Sequence, residues 1–202
     1  KIGRGALVAT LLVGGSFVVA LVLGVYTIGS GDGANFGVSA LPAVLLALLG
    51  WTVQASTEEV AFRGYLLPVM AVRGRLWLAV IASAAVFAAL HLFNPNVTFL
   101  GIFNIGLYGV FTALYALREG SLWGVCALHT VWNWMVGNVI GTAVSGGSAS
   151  FGLLHLTPAD APELLSGGGF GIEGSIITTL ALAAAIALVY WQARPQTGDA
   201  SG

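Results

Sequence analysis

The amino-acid sequence predicts an all-α fold, a polytopic membrane helix bundle of about six transmembrane helices. The first reason is composition, because 57% of the 202 residues are hydrophobic, only 7% are charged, and the mean hydropathy is +0.93. A soluble domain carries about 25% charged residues, so this chain has too little charge to cover a globule in water. The second reason is a series of apolar runs near the roughly 20 residues that cross a bilayer. The third is the placement of basic residues at the ends of those runs.

The apolar runs define the candidate spans. They are 5–28, 38–56 running into 57–72, 75–92, 98–117, 121–141 and 172–191. As one helix, the 35 residues of the second run would be about 52 Å long, well beyond the ~30 Å hydrocarbon core. That helix is therefore either strongly tilted or broken. Ser56, followed three residues later by Glu59, matches a capping box, which favours a break near 54–57.

The basic residues favour an even number of crossings with both termini in the cytoplasm. If the N-terminus is cytoplasmic, alternation places six of the seven Lys and Arg residues on that side: Lys1, Arg4, Arg73, Arg75, Arg118 and Arg194. The outer side receives the segment 142–171 and four acids: Asp32, Asp160, Glu163 and Glu173. This split agrees with the positive-inside rule, and we expect an integral, multi-pass protein. The Ala-, Gly- and Leu-rich composition favours a bacterial plasma membrane, and a net charge of −1 without a basic block predicts no nucleic-acid partner.

Charged side chains inside the apolar stretch STEEVAFRGYLLPVM indicate a function. An ionised side chain at membrane depth costs several kcal/mol unless it is paired or faces a polar cavity. Glu59 and Arg63 are four residues apart, in the acid-before-base order that favours an ion pair. Glu58 then has no local partner and is expected to face a water-filled cavity, where a carboxylate can act as a base. The alternative is a structural polar cluster that joins helices.

Two of the three histidines fall in predicted spans. His91 ends FAALH, and His129 begins HTVWN, four residues before Asn133, whereas His155 lies in the outer loop and is expected to be solvated. At 1.5 Å per residue, Glu58, His91 and His129 lie about 22, 24 and 16 Å from the arginines that flank their spans. These three side chains can therefore meet in one layer of the bundle.

Three short stretches resemble the motifs of a known family. EEVAFR (58–63), FAALH (87–91) and HTVWN (129–133) resemble, in the family's order, the motifs of the CPBP (Abi) family of CAAX prenyl endopeptidases and bacteriocin-processing enzymes. The resemblance covers about residues 38–191, where the closing GGGFGIEGS is similar to the family's C-terminal stretch. It implies an intramembrane protease. The missing zinc motif, and an Asn133 better suited to donating a hydrogen bond than to binding zinc, predict that there is no resident cofactor.

The resemblance also implies roles for individual residues. Glu58 and His91 would activate water, and His129 and Asn133 would hold the developing oxyanion. The supporting residues would be Glu59, Arg63 and Phe87. The substrate would be a membrane-associated or lipidated peptide or protein. The chain would then divide into a first transmembrane helix and outer loop (1–37), the protease core (38–191) and a disordered cytoplasmic tail (192–202).

Three alternatives stay open. Glu58, His91 and His129 could instead hold zinc with an open fourth position, although a helical HExxH motif is absent. A non-catalytic subunit of a larger membrane complex is a second alternative, because Gly137 and Gly141 form a Gly-xxx-Gly pair suited to helix contacts. A transporter with a buried ion path is the third, but no inverted repeat is visible.

Overall fold

The computed structural model describes residues 1–30, 35–72 and 74–192, and its helix bundle confirms the predicted all-α fold class. The α-helices are α1 (Ile2–Val22), α2 (Leu41–Glu59), α3 (Leu67–Val72), α4 (Leu76–Leu90), α5 (Phe99–Glu119), α6 (Leu122–Trp134), α7 (Glu163–Ser166) and α8 (Ile176–Gln192). Within the described ranges the strands are β1 (Tyr26–Ile28) and β2 (Leu156–Pro158), which form one antiparallel pair. Asp32, Arg73, Arg194 and the predicted tail beyond Gln192 lie outside the described residues.

Four helical runs in the described part of the chain are long and apolar enough to cross a membrane. They are Ile2–Val22, Val38–Val72, Leu76–Phe93 and Phe99–Glu119. Ile176–Gln192 is apolar but shorter. The predicted span 121–141 corresponds to α6 and a following π-helical segment, Met135–Val139. These helices agree with an integral membrane protein, while the count of six crossings and the sidedness stay predictions.

The predicted break at 54–57 is wrong, because the helix runs unbroken from Val38 to Val72. Its backbone widens instead into a π-helical segment, Val60–Leu66, between α2 and α3. The capping box does not form, since the Glu59 carboxylate binds Arg63 and His129 rather than the start of a new helix. π-Helical turns inside α-helices often occur at functional sites, and this one directly follows the paired acids.

Helix α6 lies at the centre of the bundle, with Val125 and Leu128 fully buried. Helix α1 packs directly along it. A Cβ atom on Gly5 would lie 1.9 Å from the carbonyl oxygen of Gly124, so only glycine permits this approach. The outward faces of α1, α2 and α4 expose large apolar side chains, as expected for helices whose surroundings are lipid.

The segment between α6 and α8 packs against the end of the bundle. Strand β2 pairs with β1, and the hydroxyl of Tyr26 donates to the carbonyl oxygen of Ser166 at 2.8 Å. The prediction that His155 is solvated is wrong. Its ring is half-buried with its centroid 4.3 Å from that of Phe36, and its carbonyl oxygen accepts from Gly29 N–H at 2.7 Å. The strand pair holds His155 against the protein.

Candidate active site

A cavity of about 230 Å³ lies inside the bundle and collects the predicted catalytic residues. Glu58, His91, His129 and Asn133 line it together with Phe87. The four side chains come from α2, the end of α4 and α6. Their spacing in the sequence placed three of them in one layer, and the structure brings all four to one cavity.

Glu58 has a partner that the sequence reasoning missed. The Nε2 atom of Gln54, one turn earlier in α2, donates to Glu58 Oε1. The Oε1 atom of Gln54 accepts from Asn133 Nδ2 at 3.2 Å, so Gln54 links the predicted base to the predicted oxyanion donor. The expectation that Glu58 lacks a local partner is therefore wrong. A polar residue four positions before Glu58 in an apolar run was the available signal.

The second oxygen of Glu58 remains free for chemistry. Oε2 is buried, has no hydrogen-bond partner among the described residues, and lies 3.9 Å from the Nε2 atom of His129. A buried carboxylate oxygen without a partner is costly unless water or a ligand satisfies it. The cavity next to this oxygen can supply such a partner.

Glu59 lies behind the cavity at the centre of a buried charged cluster. Its Oε1 atom accepts from Arg63 Nη1 at 3.0 Å and lies 2.8 Å from His129 Nδ1. Arg63 also donates to the carbonyl oxygen of Gly109 at 3.2 Å, and its guanidinium lies 4.7 Å from the centroid of the Phe87 ring. The predicted Glu59–Arg63 ion pair is present. However, Glu59 positions His129 directly, and it makes no hydrogen bond with Glu58.

The contacts of the histidines assign their protons. Because a carboxylate only accepts hydrogen bonds, Nδ1 of His129 donates to Glu59, and its Nε2 is left for the cavity. In His91, Nδ1 lies 2.8 Å from the carbonyl oxygen of Phe87 and donates to it, which leaves Nε2 as the basic nitrogen. His91 and Glu58 share no direct hydrogen bond, so a water molecule would have to join them.

Tyr108 is a cavity residue that the sequence did not single out. Its ring packs between His129 and Trp132, at centroid distances of 5.3 and 5.0 Å. Its hydroxyl is buried and has no hydrogen-bond partner in the described part of the chain. A buried hydroxyl at the wall of a cavity can donate to a bound substrate. No signal in the sequence indicated this residue, since Tyr108 lies outside the three motifs.

Glu173 also lines the cavity, and its predicted place among the outer acids gave no hint of this. Its side chain is buried, and its oxygens accept from Trp132 Nε1 at 2.7 Å and from the backbone N–H of Ser145. The amide of Asn104 donates to the carbonyl oxygens of Glu173 and Ser175. Glu173 precedes α8, and burial raises the pKa of its carboxyl above the ordinary value, although the Ser145 and Trp132 donors oppose that rise. It ties the loop before α8 to α5 and α6.

A second, wider cavity of about 500 Å³ adjoins the first. The two share Trp51, Gln54 and Val144. The second cavity is lined largely by small residues of α2 and of the segment 147–150. It extends the space next to the smaller cavity that Glu58 lines.

The Gly-xxx-Gly pair packs against other residues of the same chain. A Cβ atom on Gly137 would lie 2.8 Å from a methyl group of Val144. Gly141 has a φ of 75°, and a Cβ atom there would lie 2.1 Å from the carbonyl oxygen of Leu154. Both glycines therefore serve packing within the chain, which removes the observation that suggested a subunit of a larger complex.

The described residues contain no group of three or more His, Cys, Asp or Glu side chains arranged to hold a metal ion. Glu58, His91 and His129, the set considered for zinc, line one cavity without forming such a group. The absence of a resident cofactor stays a prediction.

Comparison with known families finds a match over part of the chain. Residues 39–135 match the family described as Rce1-like, type II CAAX prenyl endopeptidase Rce1-like. The match contains all three motifs and confirms the resemblance to CPBP proteases, but it ends well before residue 191. No curated protein and no solved structure matches the chain.

Proposed function

We propose that this chain, whose residues 39–135 match the Rce1-like family of type II CAAX prenyl endopeptidases, is an intramembrane endopeptidase that uses Glu58 to activate water. Its substrate would be a membrane-associated or lipidated peptide or protein. The observation that carries the proposal is the free Oε2 atom of Glu58, buried at the cavity that His91, His129 and Asn133 also line.

Glu58 acts as the general base. The hydrogen bond from Gln54 occupies Oε1 and leaves Oε2 to take a proton from a water molecule in the cavity. The basic Nε2 of His91 accepts a hydrogen bond from the other O–H of the water molecule and so orients the water oxygen. The water oxygen attacks the carbonyl carbon of the scissile peptide bond. The proton held by Glu58 then passes to the departing amide nitrogen as the C–N bond breaks.

Hydrogen-bond donors that line the same cavity hold the negative charge of the tetrahedral intermediate. Protonated His129, stabilised by Glu59 at Nδ1, offers its Nε2–H. Asn133 has a second amide hydrogen beyond the one that Gln54 accepts. The hydroxyl of Tyr108, which has no partner in the structure, supplies a third donor. Preorganised donors of this kind usually make the largest single contribution to acyl-transfer catalysis.

The charged pair behind the cavity acts through His129. Glu59 fixes the orientation of the His129 ring through Nδ1, and Arg63 neutralises the charge of the fully buried Glu59 carboxylate. Both are positioning residues, because neither lines the cavity. Phe87 supports the arrangement through its carbonyl bond to His91 and its contact with Arg63.

The substrate has room to bind along the adjoining cavity. A backbone seated between α2 and the segment 147–150 would run past Trp51 and Gln54 towards Glu58. The reaction needs no resident metal on this account. Activity that a chelator abolishes and zinc restores, with stoichiometric zinc in the purified protein, would overturn that part of the proposal.

The proposal is tested by N-terminal proteomics of membrane fractions from cells that carry either the wild type or Glu58→Ala. Cleavage products with new N-termini should appear only with the wild type. Identical peptide sets would contradict proteolysis. Stable membrane partners that co-purify equally with both forms would then favour a non-catalytic subunit.

A further inference from the structure

A groove of about 650 Å³ lies between α1, α5 and α8, and it shares no lining residue with the catalytic cavity. Its wall is mostly apolar, formed by side chains such as Leu12, Phe111, Ala184 and Leu188. Alanines of α8 keep the groove open because their side chains are short. A groove of this shape between membrane helices fits a hydrocarbon chain.

One end of the groove is basic. The beginning of α1 and the ends of α5 and α8 meet there, and Arg4 and Arg118 line the groove. Arg4 forms an ion pair with Glu119 at 2.6 Å. Arg118 donates to the side-chain oxygen of Gln192, which is a neutral partner. Two guanidinium groups therefore face one carboxylate, and this end has an excess positive charge.

An unsatisfied hydroxyl lies at the same end. Tyr115 lines the groove beside the Arg4 guanidinium, which interacts with its oxygen; its side chain is buried, and its own O–H has no acceptor among the described residues. A buried donor without an acceptor is unfavourable, so a ligand oxygen at this place would relieve a cost already present in the protein. The hydroxyl and the excess cation both point to an oxygen-rich anion at the end of an apolar groove.

We propose that this groove binds one anionic phospholipid of the surrounding membrane. Its acyl chain lies along the α8 wall, its phosphate lies between Arg118 and Arg4, and Tyr115 donates to a phosphate oxygen. A lipid is favoured over free phosphate because the basic end continues directly into the apolar groove. The distribution of basic residues predicts that this end faces the cytoplasm, where anionic lipids attract membrane-proximal arginines.

The headgroup contact is tested by native mass spectrometry of the full chain in phosphatidylcholine nanodiscs with increasing phosphatidylglycerol. The wild type should retain phosphatidylglycerol in preference to phosphatidylcholine. Arg118→Gln should weaken phosphatidylglycerol retention about fivefold and leave phosphatidylcholine unchanged, given the usual contribution of one arginine near an anionic surface. Arg75→Gln, which removes an exposed arginine outside the groove, is the matched control and should have no effect.

The acyl-chain contact needs its own pair of variants. Ala184→Trp fills the groove and should reduce retention of both lipids, whereas Ala183→Trp, an exposed neighbour that does not line the groove, should not. Soluble glycerol phosphate should not displace the lipid. The proposal is overturned by any of three results: no preference for phosphatidylglycerol, equal effects of Arg118→Gln and Arg75→Gln, or equal effects of the two tryptophan variants.

Discussion

The Nδ1 atom of His129 lies 2.8 Å from the Oε1 atom of Glu59, in the buried layer behind the cavity. Two adjacent acids therefore have separate surroundings. Glu58 lines the cavity with a free oxygen on the Nε2 side of His129, and Glu59 lies on the Nδ1 side in a buried cluster with Arg63. Substitutions of Glu58 and of Arg63 should therefore have different effects on activity and on stability.

Loss of the cation should destabilise the protein more than loss of the base. Arg63→Ala leaves Glu59 as a buried carboxylate with only His129 beside it, which typically costs ~3–5 kcal/mol. Glu58→Gln replaces a half-buried acid that already has an amide partner, so its effect should be small. The measurement is Tm in detergent for both variants. Equal Tm values would contradict the buried pair.

Tyr108→Phe should slow hydrolysis and leave folding intact. The substitution removes only the hydroxyl, which has no hydrogen-bond partner within residues 1–30, 35–72 and 74–192. If this hydroxyl donates to the oxyanion, kcat should fall by ~10²–10³ while KM changes little. Tyr65→Phe, at an exposed position, is the control. A normal kcat for Tyr108→Phe would remove Tyr108 from the reaction.

Glu173 should make stability depend on pH. Burial raises the pKa of its carboxyl, so the folded state favours the protonated form. The resulting stabilisation is complete at low pH and is lost as the pH rises through the folded-state pKa. The Tm of the wild type should therefore fall with rising pH relative to that of Glu173→Gln. Glutamine does not titrate, so any loss of stability from its altered contacts with Trp132 and Ser145 is the same at every pH.

The control for this pH series is Glu163→Gln, which removes an exposed acid. The difference in Tm between wild type and Glu163→Gln should not vary with pH. A pH-independent difference for Glu173→Gln as well would mean that the Glu173 carboxyl titrates normally.

The topology can be measured with single cysteines in a Cys126→Ser background. Ser148→Cys should react with an impermeant thiol reagent on intact cells, and Ser201→Cys should not, because the basic residues predict a cytoplasmic C-terminus. Labelling only at Ser201 would invert the orientation. Labelling at both positions would require an odd number of crossings.

Local features of the sequence predicted the fold class, because run length and charge placement largely specify membrane helices. They also predicted that Glu58, His91 and His129 meet, since the depth of a residue follows from its distance to the end of its span. The break in α2 was predicted wrongly because the capping-box pattern depends only on residues three positions apart in the sequence. Glu59 binds His129, 70 residues away. Such a contact depends on how α2 packs against α6.

The position of Glu173 also depends on contacts between distant parts of the chain, which the sequence pattern does not predict. Charge counting assigned it to the outer side as one acid among four, but its oxygens bind Trp132 and Ser145 inside the protein. Gln54 was predictable in part, because it lies one turn from Glu58. Its second contact, with Asn133 of α6, follows only from helix packing.

The central claim is that Glu58 is the base of a hydrolytic site, and a rate measurement with purified protein tests it most directly. Wild type, Glu58→Gln and the control Glu163→Gln are compared in nanodiscs on a quenched fluorogenic peptide that contains the cleavage site found by proteomics. Loss of a general base typically removes ~10²–10⁴ in rate, so Glu58→Gln should lose that much at an unchanged Tm, while Glu163→Gln keeps the wild-type rate. Cleavage by Glu58→Gln at a near wild-type rate would contradict the account.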